Sequence, residues 1–186
     1  MTNRLKRFLA IFLTIVVILA ALAYLITWNS SSMIVSQTPS KELAEKIINI
    51  PKNNMSITLT NDELNQLIDL YPIGENSFGD LKVKNIYTKI ANDKFDIYLP
   101  SNYKGIDILI YTSGKIYLEN GKIVYEISSF KIGKLILPKK IVLNTIKNKN
   151  IKNVSLKDDK IFIDTSVFQF KMKDIKLKDS TITIRF

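Results

Sequence analysis

Hydrophobic and polar positions divide the chain into one long apolar block and a series of shorter alternations. Phe8–Ile26, FLAIFLTIVVILAALAYLI, is nineteen residues without charge, proline or glycine. As a helix it would extend roughly 28 Å, close to the thickness of a bilayer's hydrocarbon core. Its backbone groups would then be satisfied internally. Arg4, Lys6 and Arg7 precede the block, and the next basic residue is Lys41. That asymmetry predicts a single-pass anchor in the cell membrane, with the N-terminus cytoplasmic and the rest extracellular. Trp28 and Tyr24 suit the far interface. Ala21-Leu22-Ala23 also offers a cleavage-like triplet. Tyr24, Leu25 and Ile26 continue the apolar run beyond it, so an uncleaved anchor is expected. Residues 1–28 thus read as basic tip and anchor, 29–38 as a Ser-rich linker, and 39–186 as one exported domain.

Within that domain the pattern changes period. Ser40 precedes KELAEKII, with Leu43, Ala44, Ile47 and Ile48 at helical spacing; this predicts a short capped helix packed on the domain. Met55–Leu59 alternates as a strand. Thr60-Asn61-Asp62-Glu63 is a capping box opening a helix whose apolar face is Leu64, Leu67, Ile68 and Tyr71, stopped by Pro72. From Phe78 to Phe130 the period is two, predicting four or five long antiparallel strands. Asn120-Gly121 marks a two-residue hairpin, and Gly133 a bend. Pro138-Lys139-Lys140 opens a further helix with Ile141, Val142, Thr145 and Ile146. Val154–Leu156, Lys160–Asp164, the alternation Phe168, Phe170, Met172, and Asp179–Phe186 complete a strand-rich end. The predicted class is α+β: an anchor helix, then a curved, mostly antiparallel sheet on two or three short helices.

Composition narrows the chemistry. The 186 residues include no cysteine and no histidine. Ser-His-Asp and Cys-His nucleophiles and His-ligated zinc are therefore closed to this chain. No Gly-rich phosphate loop is present. Beyond residue 28 the chain carries 24 basic against 17 acidic residues, which suits anionic lipid headgroups or anionic wall polymers. Nucleic acid is not an expected partner, because the domain is exported and carries no nucleic-acid motif. Lysine outnumbers arginine 24 to 3, and Ile and Asn are abundant, as in a chain from an AT-rich genome. Asp93 with Asp96, and Asp158 with Asp159, read as solvated turn residues. Ser128-Ser129 beside Lys131 has nothing nearby to orient it. No catalytic residue, metal site or cofactor is expected, and the domain reads as no enzyme.

The anchor, Leu59-Thr60 with Glu63-Leu64-Asn65, and Phe130-x-Ile132-Gly133-Lys134-Leu135-x-Leu137-Pro138 stand in that order. In these landmarks the chain resembles the YpmS-like family of Gram-positive bacteria, small proteins with one membrane anchor and an exported domain. The resemblance implies location and no catalytic residues.

A curved sheet laid over apolar helices can enclose a greasy groove, by analogy with the tubular lipid-binding folds. Its expected lining is Leu64, Leu67, Ile68, Ile108, Ile110, Ile127, Leu135, Ile141 and Phe168. Lys131, Lys134, Lys139 and Lys140 are the expected contacts to an anionic headgroup. The resulting expectation is a non-catalytic domain that binds or transfers a lipid or lipid-linked envelope precursor. The alternative is a structural or adaptor module docking on another envelope protein, with these residues forming a filled core.

Overall fold

A computed structural model describes residues 3–27, 38–70, 77–78, 80–149, 153–167 and 171–186. Helix α1, Asn3–Ile26, carries no acidic residue in its first turn and no basic residue in its last. Among the described residues no helix is long and apolar enough to cross a membrane. Trp28, the linker up to residue 37, Tyr71, Pro72, Phe168 and Phe170 lie outside the described residues.

Helix α2 (Lys41–Ile48) begins where Ser40 accepts the Leu43 N–H on its side chain. Only Leu43 of its predicted stripe enters the core; Ala44, Ile47 and Ile48 are exposed. The reason lies three residues on. The Lys46 ammonium reaches the Glu63 carboxylate at 2.7 Å and the Thr58 carbonyl at 3.2 Å, so the face at 43 and 46 turns inward. Strand β1 (Ser56–Thr60) then runs into α3 (Asn61–Asp69) through the predicted capping box. Glu63 N–H donates to the Thr60 hydroxyl at 3.3 Å, and Thr60 N–H to the Glu63 carboxylate at 2.8 Å.

Strands β2 (Ser77–Phe78), β3 (Leu81–Val83), β4 (Tyr87–Ala91), β5 (Lys94–Tyr103), β6 (Ile106–Glu119) and β7 (Lys122–Ile132) follow. A short β8 (Leu135–Ile136), helix α4 (Lys139–Lys149), β9 (Val154–Lys157), β10 (Lys160–Asp164), β11 (Asp174–Lys178) and β12 (Thr181–Arg185) complete the chain. Among the described residues nine strands form a curved, antiparallel half-barrel in the order β2-β3-β5-β6-β7-β10-β9, with β4 beside β5 and β8 beside β7. Two-residue turns join its hairpins. Asn92-Asp93, Lys104-Gly105, Asn120-Gly121 and Asp158-Asp159 all have both φ values positive, the twist that right-handed strands require of a tight turn.

The pairing of β6 with β7 slips at Ser113/Gly114, where Ser128 is the extra residue. A side chain at Gly114 would strike the Glu126 carbonyl and the Tyr125 ring. The glycine lets that ring lie across the bulge, with its hydroxyl donating to the Phe95 carbonyl at 3.1 Å.

A second sheet, β1-β12-β11, was not expected from the sequence. It joins the start of the domain to its end, pairing Ser56 with Arg185 and Thr60 with Thr181. Leu59, Ile57, Ile175 and Ile182 from this sheet meet Phe95, Ile123, Tyr125 and Ile127 of the large one, with Leu43 from α2 and Val142 and Leu143 from α4. Each such side chain contributes about 1.5–3 kcal/mol through burial.

The free edge of β4 is covered in an unusual way. Asn61 accepts the Ile90 N–H at 2.6 Å and donates to its carbonyl at 3.3 Å. Asn65 accepts the Thr88 N–H at 2.7 Å and donates to its carbonyl at 2.8 Å. Four residues along a helix advance about 6 Å and two along a strand about 6.6 Å. Two side-chain amides one helical turn apart therefore replace a neighbouring strand and close the edge.

Candidate functional site

The helix meets the large sheet at the end of β7. The Gly133 N–H donates to the Leu109 carbonyl at 2.7 Å, and the Lys134 N–H donates to the Leu25 carbonyl at 2.9 Å. The latter satisfies one of the carbonyls that a helix end leaves open. Gly133 has φ 57°, and a Cβ there would lie 2.5 Å from the Leu25 oxygen and 2.7 Å from that of Ile26. Only glycine admits the helix this close. Thr27 then forms an antiparallel bridge with Ile108, beside the part of β6 that β7 has left. The Lys134 ammonium stands 3.7 Å from the centre of the Tyr24 ring. Its charge also suits the negative end of the helix dipole.

Ile106, Ile108 and Ile110 alternate in phase with Thr112. The Thr112 hydroxyl lies 3.2 Å from that of Tyr125, a core residue, so all four face inward. Opposite them on β5 stand Tyr103, Ser101 and Leu99, and on β7 Ile132 stands opposite Ile110. Ile108 and Ile110 are only 6 % and 8 % exposed. Neither belongs to the apolar cluster that fills the rest of the inner face. They form a separate apolar strip beside the point where α1 ends.

The nine residues expected to line a groove fall in different places. Ile127 is in the core cluster, and Leu64 and Leu67 pack against it. Ile68 and Leu135 are half-buried. Ile108 and Ile110 make the strip. Ile141 is 55 % exposed, because α4 turns Val142 and Leu143 inward instead. Phe168 lies outside the described residues.

Of the expected headgroup lysines, Lys134 sits at the helix end. Lys131 lies on the outer face, 5.5 Å from the centre of the Tyr111 ring. Lys139 and Lys140 open α4.

The outer face carries a ladder of tyrosines that sequence reading left unremarked. Tyr87, Tyr98 and Tyr111 are cross-strand neighbours on β4, β5 and β6, with ring centres 5.9 Å and 5.0 Å apart. Burial first, and then the nearby Asp96 carboxylate, push Tyr98 up to about 12. Asp93 and Asp96 do not share a site geometry of their own: Asp93 is in the β4–β5 turn and Asp96 in β5. Among the described residues, no group of three or more acidic, His or Cys side chains could hold a metal.

Two surface depressions, of about 180 and 350 Å³, are rimmed largely by polar residues such as Asn144, Lys147 and Asp158 in one and Lys46, Asn53 and Thr58 in the other. Neither is lined by an expected groove residue.

No known family model, curated protein or solved structure matches the chain. The likeness to the YpmS-like family therefore rests on the short motifs alone.

Proposed function

We propose that α1 anchors the chain in a membrane and that the exported domain is a non-catalytic binder of a lipid or lipid-linked envelope precursor. Acyl chains would enter at the end of the inner face nearest the anchor. The carrying observation is the strip at Ile108 and Ile110, which is apolar, buried, next to the helix end and separate from the core cluster.

The anchor reading rests on the uncharged run Phe8–Ile26 and on the exposure of its described side chains, Ile11 to Leu19 among them. The absence of histidine and cysteine supports the non-catalytic part.

The test is native mass spectrometry of the full-length chain after exchange into a mild detergent, with extraction of what stays bound. One retained lipid per chain is expected. Ile110→Phe, which fills the strip, should lose it while the circular dichroism spectrum is kept. A bare wild-type mass overturns the reading.

One observation favours the second reading, an adaptor. β9 ends the large sheet, and its outer edge pairs with no strand among the described residues. A partner strand could dock there. Cross-linking in cells from positions on β9 would then capture one envelope protein, and lipid binding would be absent.

A further inference from the structure

The inner strip does not stop at Ile108. Two residues further along β6, about 6.6 Å away, Ile106 is 47 % exposed, and its cross-strand partner Tyr103 is 45 % exposed. These two close the β5–β6 hairpin through Lys104-Gly105. The apolar face thus runs without interruption from buried Ile110 and Ile108 out to an exposed tip. That tip is two residues from the backbone bridge where Thr27 leaves α1. Ile136, 71 % exposed on β8, follows the Gly133-Lys134 turn against which the helix ends.

The charges around the tip favour a cationic surface. Lys82, Lys84 and Lys104 lie around it, against Asp80 and Asp107, and Lys134 stands where the helix ends. Lys84 pairs with Asp107 at 2.8 Å, and Lys104 with Asp80 at 3.2 Å. The Lys104–Asp80 pair is well exposed on both sides, so it yields readily to a competing anion. Tyrosine and isoleucine beside lysine is the composition of an interfacial contact. The ring and the branched chain enter the headgroup layer, while the ammonium groups stay with anionic phosphates.

We infer that the β5–β6 tip is a second membrane attachment, inserted into the headgroup layer of an anionic bilayer beside α1. It rests on the anchor reading above. With two attachments the domain cannot swivel freely on its helix, and the open end of the inner strip is held against the bilayer. A lipid could then pass from the membrane to Ile108 and Ile110 along one continuous apolar face.

The absence of cysteine makes site-specific labelling direct. Single variants Ile106→Cys, Tyr103→Cys, Thr14→Cys and Asn120→Cys of the full-length chain would be spin-labelled and reconstituted into vesicles of phosphatidylcholine with phosphatidylglycerol. Asn120 is at the β6–β7 turn, the opposite end of β6. Labels at 103 and 106 should be shielded from an aqueous nickel reagent and accessible to oxygen, and the label at 120 should be the reverse. The shielding should weaken in pure phosphatidylcholine and in Lys104→Glu. If labels at 103 and 106 read as water-exposed as the label at 120, while the label at 14 lies in the bilayer, the second attachment is overturned and the anchor stands. If the label at 14 is also in water, the anchor falls and this inference with it.

Discussion

The two halves of one sheet face differ more than their sequences do. Strands β5 and β6 carry the same inward alternation along their whole length, and β7 resumes it one residue out of phase after the extra residue Ser128. Toward the β6–β7 turn that alternation supplies Phe95, Ile116, Ile123, Tyr125 and Ile127, covered by β1, β12, β11, α2 and α4. Toward the helix it supplies Leu99, Ile106, Ile108, Ile110 and Ile132, none of which joins that cluster. The difference arises from what covers each half. The cover of the first half arrives from both ends of the domain, with Thr58 meeting Thr183 across a separation of 125 residues. The second half is bordered by the end of α1. A period-two pattern states which side of a strand is apolar. It does not state what the apolar side meets.

The largest expected break in the comparison is Leu59→Ala, in the filled half. Leu59 is almost fully buried, and the change should cost about 2–5 kcal/mol in urea unfolding of the detergent-solubilised chain. Ile108→Ala should cost less, about 2 kcal/mol, the low end of the same range, because its site lies outside the interlocked cluster. Equal losses at the two positions would erase the distinction between the halves.

Gly133→Ala acts at the border. The new Cβ meets the Leu25 and Ile26 carbonyls and the residue must hold a positive φ, so a loss of about 1–3 kcal/mol is expected. Hydrogen exchange should accelerate at the Lys134 amide, which caps the helix, and not at Thr88.

Asn65→Ala acts within the filled half. It leaves the Thr88 N–H and carbonyl without the side-chain amide that now pairs with them, for about 1–3 kcal/mol. Exchange should then accelerate at Thr88 and stay slow at Lys134.

These positions also measure how far the sequence could be read. The Ser40 cap, the Thr60–Glu63 box and the Asn120-Gly121 turn were legible because each is decided within four residues. The α+β class and the long meander were legible from period two. The pairing of β1 with β12 was not, since nothing local distinguishes a strand that pairs across the whole domain. β11 carries Ile175 and Leu177 in alternation with Asp174, Lys176 and Lys178, a signal hidden among lysines. The edge cover was missed because Asn61 and Asn65 look like ordinary polar positions of a helix. Their amides matter only once β4 lies alongside. Part of the candidate site was legible in Ile108 and Ile110. The exposure of Ile141 and the tip at Tyr103 and Ile106 depend on how far the cover extends.

The smallest effect belongs to Glu63. Burial pushes its carboxyl up, but the Lys46 ammonium and the Thr60 amide together outweigh burial and hold it below the ordinary value of 4.5. A carboxylate whose folded pKa is depressed gives stability that is full above the unfolded value and is lost as pH falls through the folded one. Glu63→Gln should therefore cost about 0.5–2 kcal/mol at neutral pH. The gap between variant and wild type should close as the pH falls from 4.5 through the folded pKa. A gap independent of pH would mean that the charge of Glu63 contributes nothing to joining α2 and α3.

The central claim is that an acyl chain leaves the bilayer for the inner strip. The direct measurement is photo-cross-linking of the full-length chain in vesicles whose phospholipid carries a diazirine at the end of its acyl chain. In a lipid that stays in the membrane, that group lies near the bilayer centre, where it can label α1 only. The account predicts cross-links on α1 and also on the peptide containing Ile108 and Ile110, the latter lost in Ile110→Phe. Cross-links confined to α1 would contradict it.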